Sequence, residues 1–300
     1  MSAHDGRYAP SPTGTLHIGN LRTALLAWLF ARSGGGRFLL RMEDLDQGRV
    51  RAGVAEQQLE DLRSLGLDWD GPVEFQSHRR ALYTDAVERL RAEGRLYECF
   101  CTRAEIRDAA SAPHGPLPEG FYPGTCLHLT RSQRERKRGG GRPPALRVRA
   151  DMARIAFTDR LMGPQEGPVD DFVLVRNDGA PAYQLAVVVD DAAQGIGEVV
   201  RGADLLDSTP RQLFLARLLG LPEPAFAHVP LVLGPDGARL AKRHGAVTLQ
   251  DLDPLTARGW MARSLGLPDV SPREMLGAFD PDALPREPIR FSGTASLRAE

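Results

Sequence analysis

Two short segments carry residue types suited to phosphate chemistry. Ala9-Pro10-Ser11-Pro12-Thr13-Gly14-Thr15-Leu16-His17-Ile18-Gly19-Asn20 is a Pro/Gly-rich turn that delivers His and Gly to the start of an apolar helical pattern at Leu21, Leu25, Trp28 and Leu29. A helix N-terminus presents unpaired backbone N–H groups and the positive end of the helix dipole, which favours a phosphate there. The glycines let backbone approach a ligand, and His17 can donate to phosphate oxygens as charge builds on them. Far downstream, Leu240-Ala241-Lys242-Arg243-His244 follows an apolar strand pattern at His228 to Leu233 and offers a further cation. A third group, Cys99-Phe100-Cys101 with Cys126, supplies three thiolates, and a tetrahedral zinc needs a fourth ligand. His128 is the more orthodox candidate for it and His114 a weaker one. Taken singly, each segment has a plain alternative: Pro and Gly punctuate any strand–helix turn, Lys-Arg-His occurs in surface loops, and Cys-x-Cys is a loose spacing.

These residues need elements to hold them. A strand-like entry at Arg7-Tyr8-Ala9 precedes the turn and a second strand, Arg37 to Met42, follows the helix, which makes a βαβ unit. Further helical patterns run through Val54, Leu59, Leu62 and Leu65 and through Leu82, Val87 and Leu90, so residues 1–97 read as the first half of an α/β catalytic domain. From 98 to 181 the character changes to cysteines, Pro/Gly-rich loops, a basic loop from Arg131 to Arg142 and strands at Ala145 to Arg149 and Phe172 to Arg176. This is an expected insertion that splits the parallel sheet. The continuous apolar run Ala182 to Asp190 predicts a strand buried on both faces, which returns the chain to the sheet. A helix from Pro210 to Leu219 and a strand from Val229 to Leu233 complete a second half spanning 182–246. Residues 247–300 read as a short, mostly helical region with a Pro-rich end from Pro281 to Pro288.

Three hundred residues allow roughly two domains and a sizeable core. The balance of 38 basic against 39 acidic side chains gives no global pull toward nucleic acid. No stretch reaches the apolar length of a membrane span and the start has no signal-peptide pattern, so a cytoplasmic protein with no membrane partner is expected, as a monomer. Three cysteines cannot all pair, and a reducing compartment disfavours disulfides.

His17-Ile18-Gly19-Asn20 and the Lys242 segment resemble the two signatures of class I aminoacyl-tRNA synthetases, H-I-G-H and K-M-S-K-S. Asn20 stands where the family has its last histidine, as glutamyl members commonly show, and Arg243 and His244 replace the residues that usually follow the lysine. Ala9 to Gly14 and Arg41-Met42-Glu43-Asp44-Leu45-Asp46 are similar to the glutamyl branch, and the resemblance runs from about residue 7 to about 250. It implies an α/β fold with a Rossmann-type parallel sheet split by a zinc-containing insertion. ATP, with Mg, and L-glutamate are the implied substrates. Arg7, Tyr8, Ala9, Pro10, Ser11, Glu43, Tyr183 and Arg201 match the family's glutamate-binding positions, with Glu43 on the α-amino group; His17, Gly19, Asn20 and Lys242 match its ATP site, and His17, Asn20 and Lys242 its catalytic set. The chemistry suits these types: a guanidinium grips a carboxylate with two parallel bonds, and adenylate formation needs positioning and charge neutralisation with no covalent enzyme intermediate. Tyr122, four residues before Cys126, matches the family's Tyr-x-x-x-Cys pattern, which implies Cys99, Cys101, Tyr122 and Cys126 as ligands of one structural zinc, with His128 the alternative to Tyr122.

A full glutamyl-tRNA synthetase continues into a large helical anticodon-binding region, for which the residues after Ala246 leave no room. The shortened pattern is similar to the glutamyl-Q tRNA(Asp) synthetase family. That resemblance implies tRNA-independent activation of glutamate and its transfer to the queuosine base in the anticodon of tRNA(Asp). The alternatives are a shortened synthetase that charges tRNA(Glu) and a catalytically silent paralogue that binds tRNA or glutamate. The run Arg131, Arg134, Arg136, Lys137, Arg138 and Arg142 carries six cations against Glu135, either a solvated loop or a contact to RNA phosphates.

Overall fold

The computed structural model describes residues 2–110, 121–238, 240 and 247–291. Three short parallel strands, β1 (Gly6–Tyr8), β2 (Phe38–Met42) and β3 (Glu74–Phe75), lie in that order, with helix α1 (Ile18–Ser33) crossing from β1 to β2. Beyond its first turns helix α1 is buried on nearly every side: Leu21, Leu25, Leu26, Trp28, Leu29 and Phe30 are all covered, while Asn20 and Thr23 face the cleft. A helix with so long an apolar stretch belongs inside a core. Its cover is the C-terminal region, α8 (Pro254–Ser264) and α9 (Pro272–Met275), whose Trp260, Met261 and Met275 share the α1 cluster.

The strand β9 (Glu198–Gly202) stands beside β1, because the backbone N–H groups of Gly197 and Glu198 donate to the Asp5 carbonyl at 2.8 and 3.1 Å. β10 (Ala225–Val229) runs parallel to β9, then β6 (Arg154–Asp159) parallel to β10, and β7 (Gly163–Pro168) closes that edge as the antiparallel partner of β6. The β6–β7 hairpin, within residues 98–181, therefore pairs into the sheet of the second half. The rest of that segment folds on a separate antiparallel sheet of β4 (Leu96–Cys99), β5 (Ala145–Val148) and β8 (Val173–Val175), with α4 (Arg103–Ala110) and α5 (Arg131–Gly139).

Three sequence expectations change. The run from Ala182 to Asp190 is no strand but the start of helix α6 (Tyr183–Gln194). Its residues Leu185 to Asp191 are buried on every side, packing with α3 (Arg80–Ala92) and α7 (Thr209–Leu218), and full burial removes the periodicity that separates helix from strand. Its stop signal is Gly195, in the left-handed region at φ 71°. The basic run is likewise helix and not loop: Thr130 and Gln133 form a capping box at the start of α5, none of whose side chains is buried. The expected strand Val229 to Leu233 divides into β10 and β11 (Val232–Leu233), and β11 pairs in parallel with β12 (Ile289–Arg290), which brings the Pro-rich end back against the catalytic sheet. Among the described residues no helix is long and apolar enough to cross a membrane.

Candidate active site

A cleft of about 480 Å³ opens where β1, the Ala9–His17 loop, the start of α1 and the end of β9 converge. The loop is pinned from behind: Gln58, wholly buried on helix α2 (Val54–Ser64), donates through Nε2 to the carbonyls of Ser11 (3.1 Å) and Gly14 (2.7 Å). The N–H groups of Glu43 and Arg51 donate to the Pro10 and Pro12 carbonyls. His17 is the N-cap of α1: its Nδ1 accepts from the Asn20 N–H at 3.2 Å, and Asn20 Oδ1 accepts from the His17 N–H at 3.3 Å. Asn20 thus serves as the return half of a capping box. Because Nδ1 accepts, neutral His17 carries its proton on Nε2, the donor a phosphate needs. A Cβ on Gly19 would stand 3.1 Å from the His17 ring and 3.3 Å from Val232 Cβ, so a larger residue there would press on the ring.

A layer of buried charge underlies the opposite wall. Arg7 is bidentate on Asp191, Nε to Oδ1 at 3.1 Å and Nη2 to Oδ2 at 3.3 Å, which takes two of its five donors. Arg41 reaches Asp191 at 2.8 Å and Glu43 at 3.3 Å. Asp190 is held by Arg79, Gln76 and Tyr83 at 2.7 to 2.9 Å. Burial pushes the Asp191 carboxyl up, but Arg7 and Arg41 prevail and hold it below the usual carboxylate range. At Glu43 burial prevails over the same guanidiniums and raises the carboxyl. A buried carboxylate beside a cleft gains from any further cation placed against it.

Arg201, on β9, is gripped from within the protein: Nε donates to His228 Nε2 (2.9 Å), Nη1 to Gln212 Oε1 (2.7 Å) and Nη2 to Thr209 Oγ1 (2.8 Å). Tyr183, the first residue of α6, is 39 % exposed and faces the cleft between Arg201 and Glu43. Arg7, Tyr8, Ala9, Pro10, Ser11, His17, Gly19, Asn20, Glu43, Tyr183 and Arg201 therefore all line one cavity. Lys242 lies outside the described residues. The chain on either side of it is tied to the same wall, with Leu240 N–H on the Val232 carbonyl (3.2 Å) and Ile18 N–H on the Val247 carbonyl (3.0 Å).

The sulfurs of Cys99, Cys101 and Cys126 lie within 4.8 Å of one another. The Tyr122 hydroxyl is 3.4 Å from Cys99 Sγ and 3.7 Å from Cys101 Sγ, and it accepts the Cys126 N–H at 2.7 Å. Ligands about 2.3 Å from a tetrahedral ion stand roughly 3.7 Å apart, so three sulfurs and one phenol fit such an ion. Hydrogen bonding from Cys101 draws the Cys99 thiol down against burial, with help from Tyr122 and Arg147, so this thiolate is ready to ligate. The Arg147 guanidinium lies 3.6 Å from the Tyr122 ring centre, a cation on the ring face, while burial and the neighbouring Cys99 sulfur push the Tyr122 hydroxyl up. His128 is exposed and outside this group, and His114 lies outside the described residues. Asp170 links the cluster to the catalytic half by accepting both the Tyr122 N–H (2.8 Å) and Arg211 of α7 (2.6 Å).

Sequence reasoning gave no role to Asp191, Asp190, Arg41, Gln58, Asp159 or His228. Only one signal was present: two adjacent acids ending an apolar run imply buried cationic partners.

Residues 5–263 match the family described as tRNA synthetases class I (E and Q), catalytic domain. The chain is 62 % identical over 288 residues to the glutamyl-Q tRNA(Asp) synthetase of Nocardia farcinica, covering 94 % of this chain and 91 % of that protein. It is 54 % identical over 308 residues to the glutamyl-Q tRNA(Asp) synthetase of Symbiobacterium thermophilum, covering 95 % of each. Among solved structures it is similar to a glutamate tRNA ligase from Elizabethkingia meningosepticum in complex with its amino acid, with TM-score 0.82 and 29 % identity over 97 % of this chain and 67 % of that one. With the histidine-capped helix and the guanidinium-lined cleft in the places the family match covers, the chain belongs to the class I tRNA synthetases of the glutamyl and glutaminyl type, in the glutamyl-Q tRNA(Asp) synthetase group.

Proposed function

We propose that this enzyme activates L-glutamate with ATP, with no tRNA bound, and then transfers the glutamyl group to the queuosine base in the anticodon of tRNA(Asp). The observation that carries the reading is the convergence, in one cleft, of a histidine-capped helix N-terminus with Arg7, Arg201 and Glu43. The acceptor follows the relatives' names, and the chain spans 91 % and 95 % of those two proteins against 67 % of the glutamate tRNA ligase.

Arg7 and Arg201 take the carboxylates of glutamate, and Glu43, with Tyr183 beside it, takes the ammonium, whose charge offsets the burial that raises the Glu43 carboxyl. ATP, as its magnesium complex, lays its phosphates on the α1 N-terminus. The glutamate α-carboxylate attacks the α-phosphorus, the bond to pyrophosphate breaks, and His17 Nε2–H and Lys242 neutralise the charge that leaves. A cyclopentene hydroxyl of queuosine then attacks the acyl carbon and AMP departs. Cys99, Cys101, Tyr122 and Cys126 hold one structural zinc, and the exposed cations of α5 meet phosphates of the anticodon stem.

ATP–pyrophosphate exchange with each amino acid in turn, without tRNA, tests activation. Glutamate alone should support exchange. Silence with every amino acid points to the binding paralogue instead.

A further inference from the structure

Arg201 is not placed by its own strand alone. Its Nε hydrogen points at His228 Nε2 (2.9 Å), and His228 Nδ1 lies 2.6 Å from Asp159 Oδ2. All three residues are buried, His228 and Asp159 completely at their side chains, and they come from adjacent strands β9, β10 and β6. Asp159 is fixed in turn by accepting the N–H groups of Leu161, Met162 and His228. An Arg donor on Nε2 and a carboxylate on Nδ1 admit one tautomer only: neutral imidazole with its proton on Nδ1.

We infer that the Asp159–His228 pair is a positioning device, which holds the Arg201 guanidinium in register for a substrate carboxylate. The inference rests on reading the cleft as the glutamate site. The groups facing His228 are Asp159 on β6, Arg201 on β9, Arg7 on β1, Thr209 on α7 at 3.3 Å, and the Phe226 ring of its own strand stacked at 5.9 Å. Burial, with the two arginines, holds the imidazole below its ordinary value against the pull of Asp159. His228 therefore stays neutral through the physiological range. Once protonated at lower pH, its Nε2 carries a hydrogen that confronts the Arg201 donor.

His228→Phe keeps a ring over Phe226 but offers Arg201 no acceptor, whereas His228→Gln restores an acceptor near Nε2. Removing an acceptor from a charged donor costs enough to raise the glutamate KM about tenfold or more in exchange, while kcat and the ATP KM stay within about threefold. His228→Gln should recover most of that loss. In wild type the glutamate KM should climb as the pH falls below the ordinary imidazole range, an arm absent from His228→Gln. Nitrogen NMR of the wild-type ring should report the Nδ1–H tautomer at pH 7. An Nε2–H tautomer, equal kinetics for wild type and His228→Phe, or losses in Phe and Gln that are equal and shared by ATP would each overturn the inference. Wild-type exchange that needs no glutamate would instead overturn the reading of the cleft.

Discussion

Lys242→Ala should slow glutamate-dependent ATP–pyrophosphate exchange about a hundredfold, with the glutamate KM changed by no more than about twofold. A cation that acts on the leaving pyrophosphate stabilises charge present mainly in the transition state. Its loss costs roughly 3 kcal/mol of barrier and little ground-state affinity for the amino acid. The flanking chain supports this assignment, since Leu240 is bonded to Val232, which lines the cleft, and Val247 to Ile18, the residue after the His17 cap. Arg7→Lys makes the contrasting case. Asp191 already takes one edge of Arg7, and a single ammonium cannot serve Asp191 and a substrate carboxylate together. That variant should therefore raise the glutamate KM, with kcat reduced less. Steady-state exchange on the two variants separates the roles, and equal rates for wild type and Lys242→Ala would remove the lysine from the reaction.

Cys126→Ser should lose the metal outright. Elemental analysis of wild type should find about one zinc per chain, and the variant close to none. Zinc binding to thiolates supplies folding free energy on the order of 10 kcal/mol in small modules, far more than the small cluster of Tyr97, Cys99, Phe100, Tyr122 and Cys126 can replace. Hydrogen exchange should show the loss confined largely to β4, α5 and the Tyr122 loop. The β1–β2 and β9–β10 strands, which rest on two larger clusters, should stay protected. Tyr122→Phe should release zinc and His128→Ala should not, given the exposed position of His128. Metal-free wild type that is fully folded and active would contradict the assignment.

The site was legible where chemistry and backbone are contiguous. Ala9 to Asn20 spells out a strand end, a glycine turn and a helix start, and the sequence-predicted residues of that segment all line the cleft. Partners supplied from far along the chain were not legible. Arg7 and Asp191 are 184 residues apart and Arg201 and His228 are 27, and no local pattern says that one side chain faces another. Helix α6 was misread for a related reason: its surroundings bury all of Leu185 to Asp191, and burial on every side erases the helical period. The return half of the capping box at Asn20 explains after the fact why asparagine serves where other class members carry histidine. Nor does any local pattern say that β6 pairs with β10, where Phe226 stands opposite Asp159.

The central claim is the acceptor. Labelled glutamate should be incubated with ATP, the enzyme and three purified RNAs: tRNA(Asp) from cells that make queuosine, tRNA(Asp) from cells that do not, and tRNA(Glu). The account predicts label on the first alone, retained on a fragment that contains the anticodon. Stable label at the 3′ end of tRNA(Glu) would contradict it and identify a shortened charging enzyme.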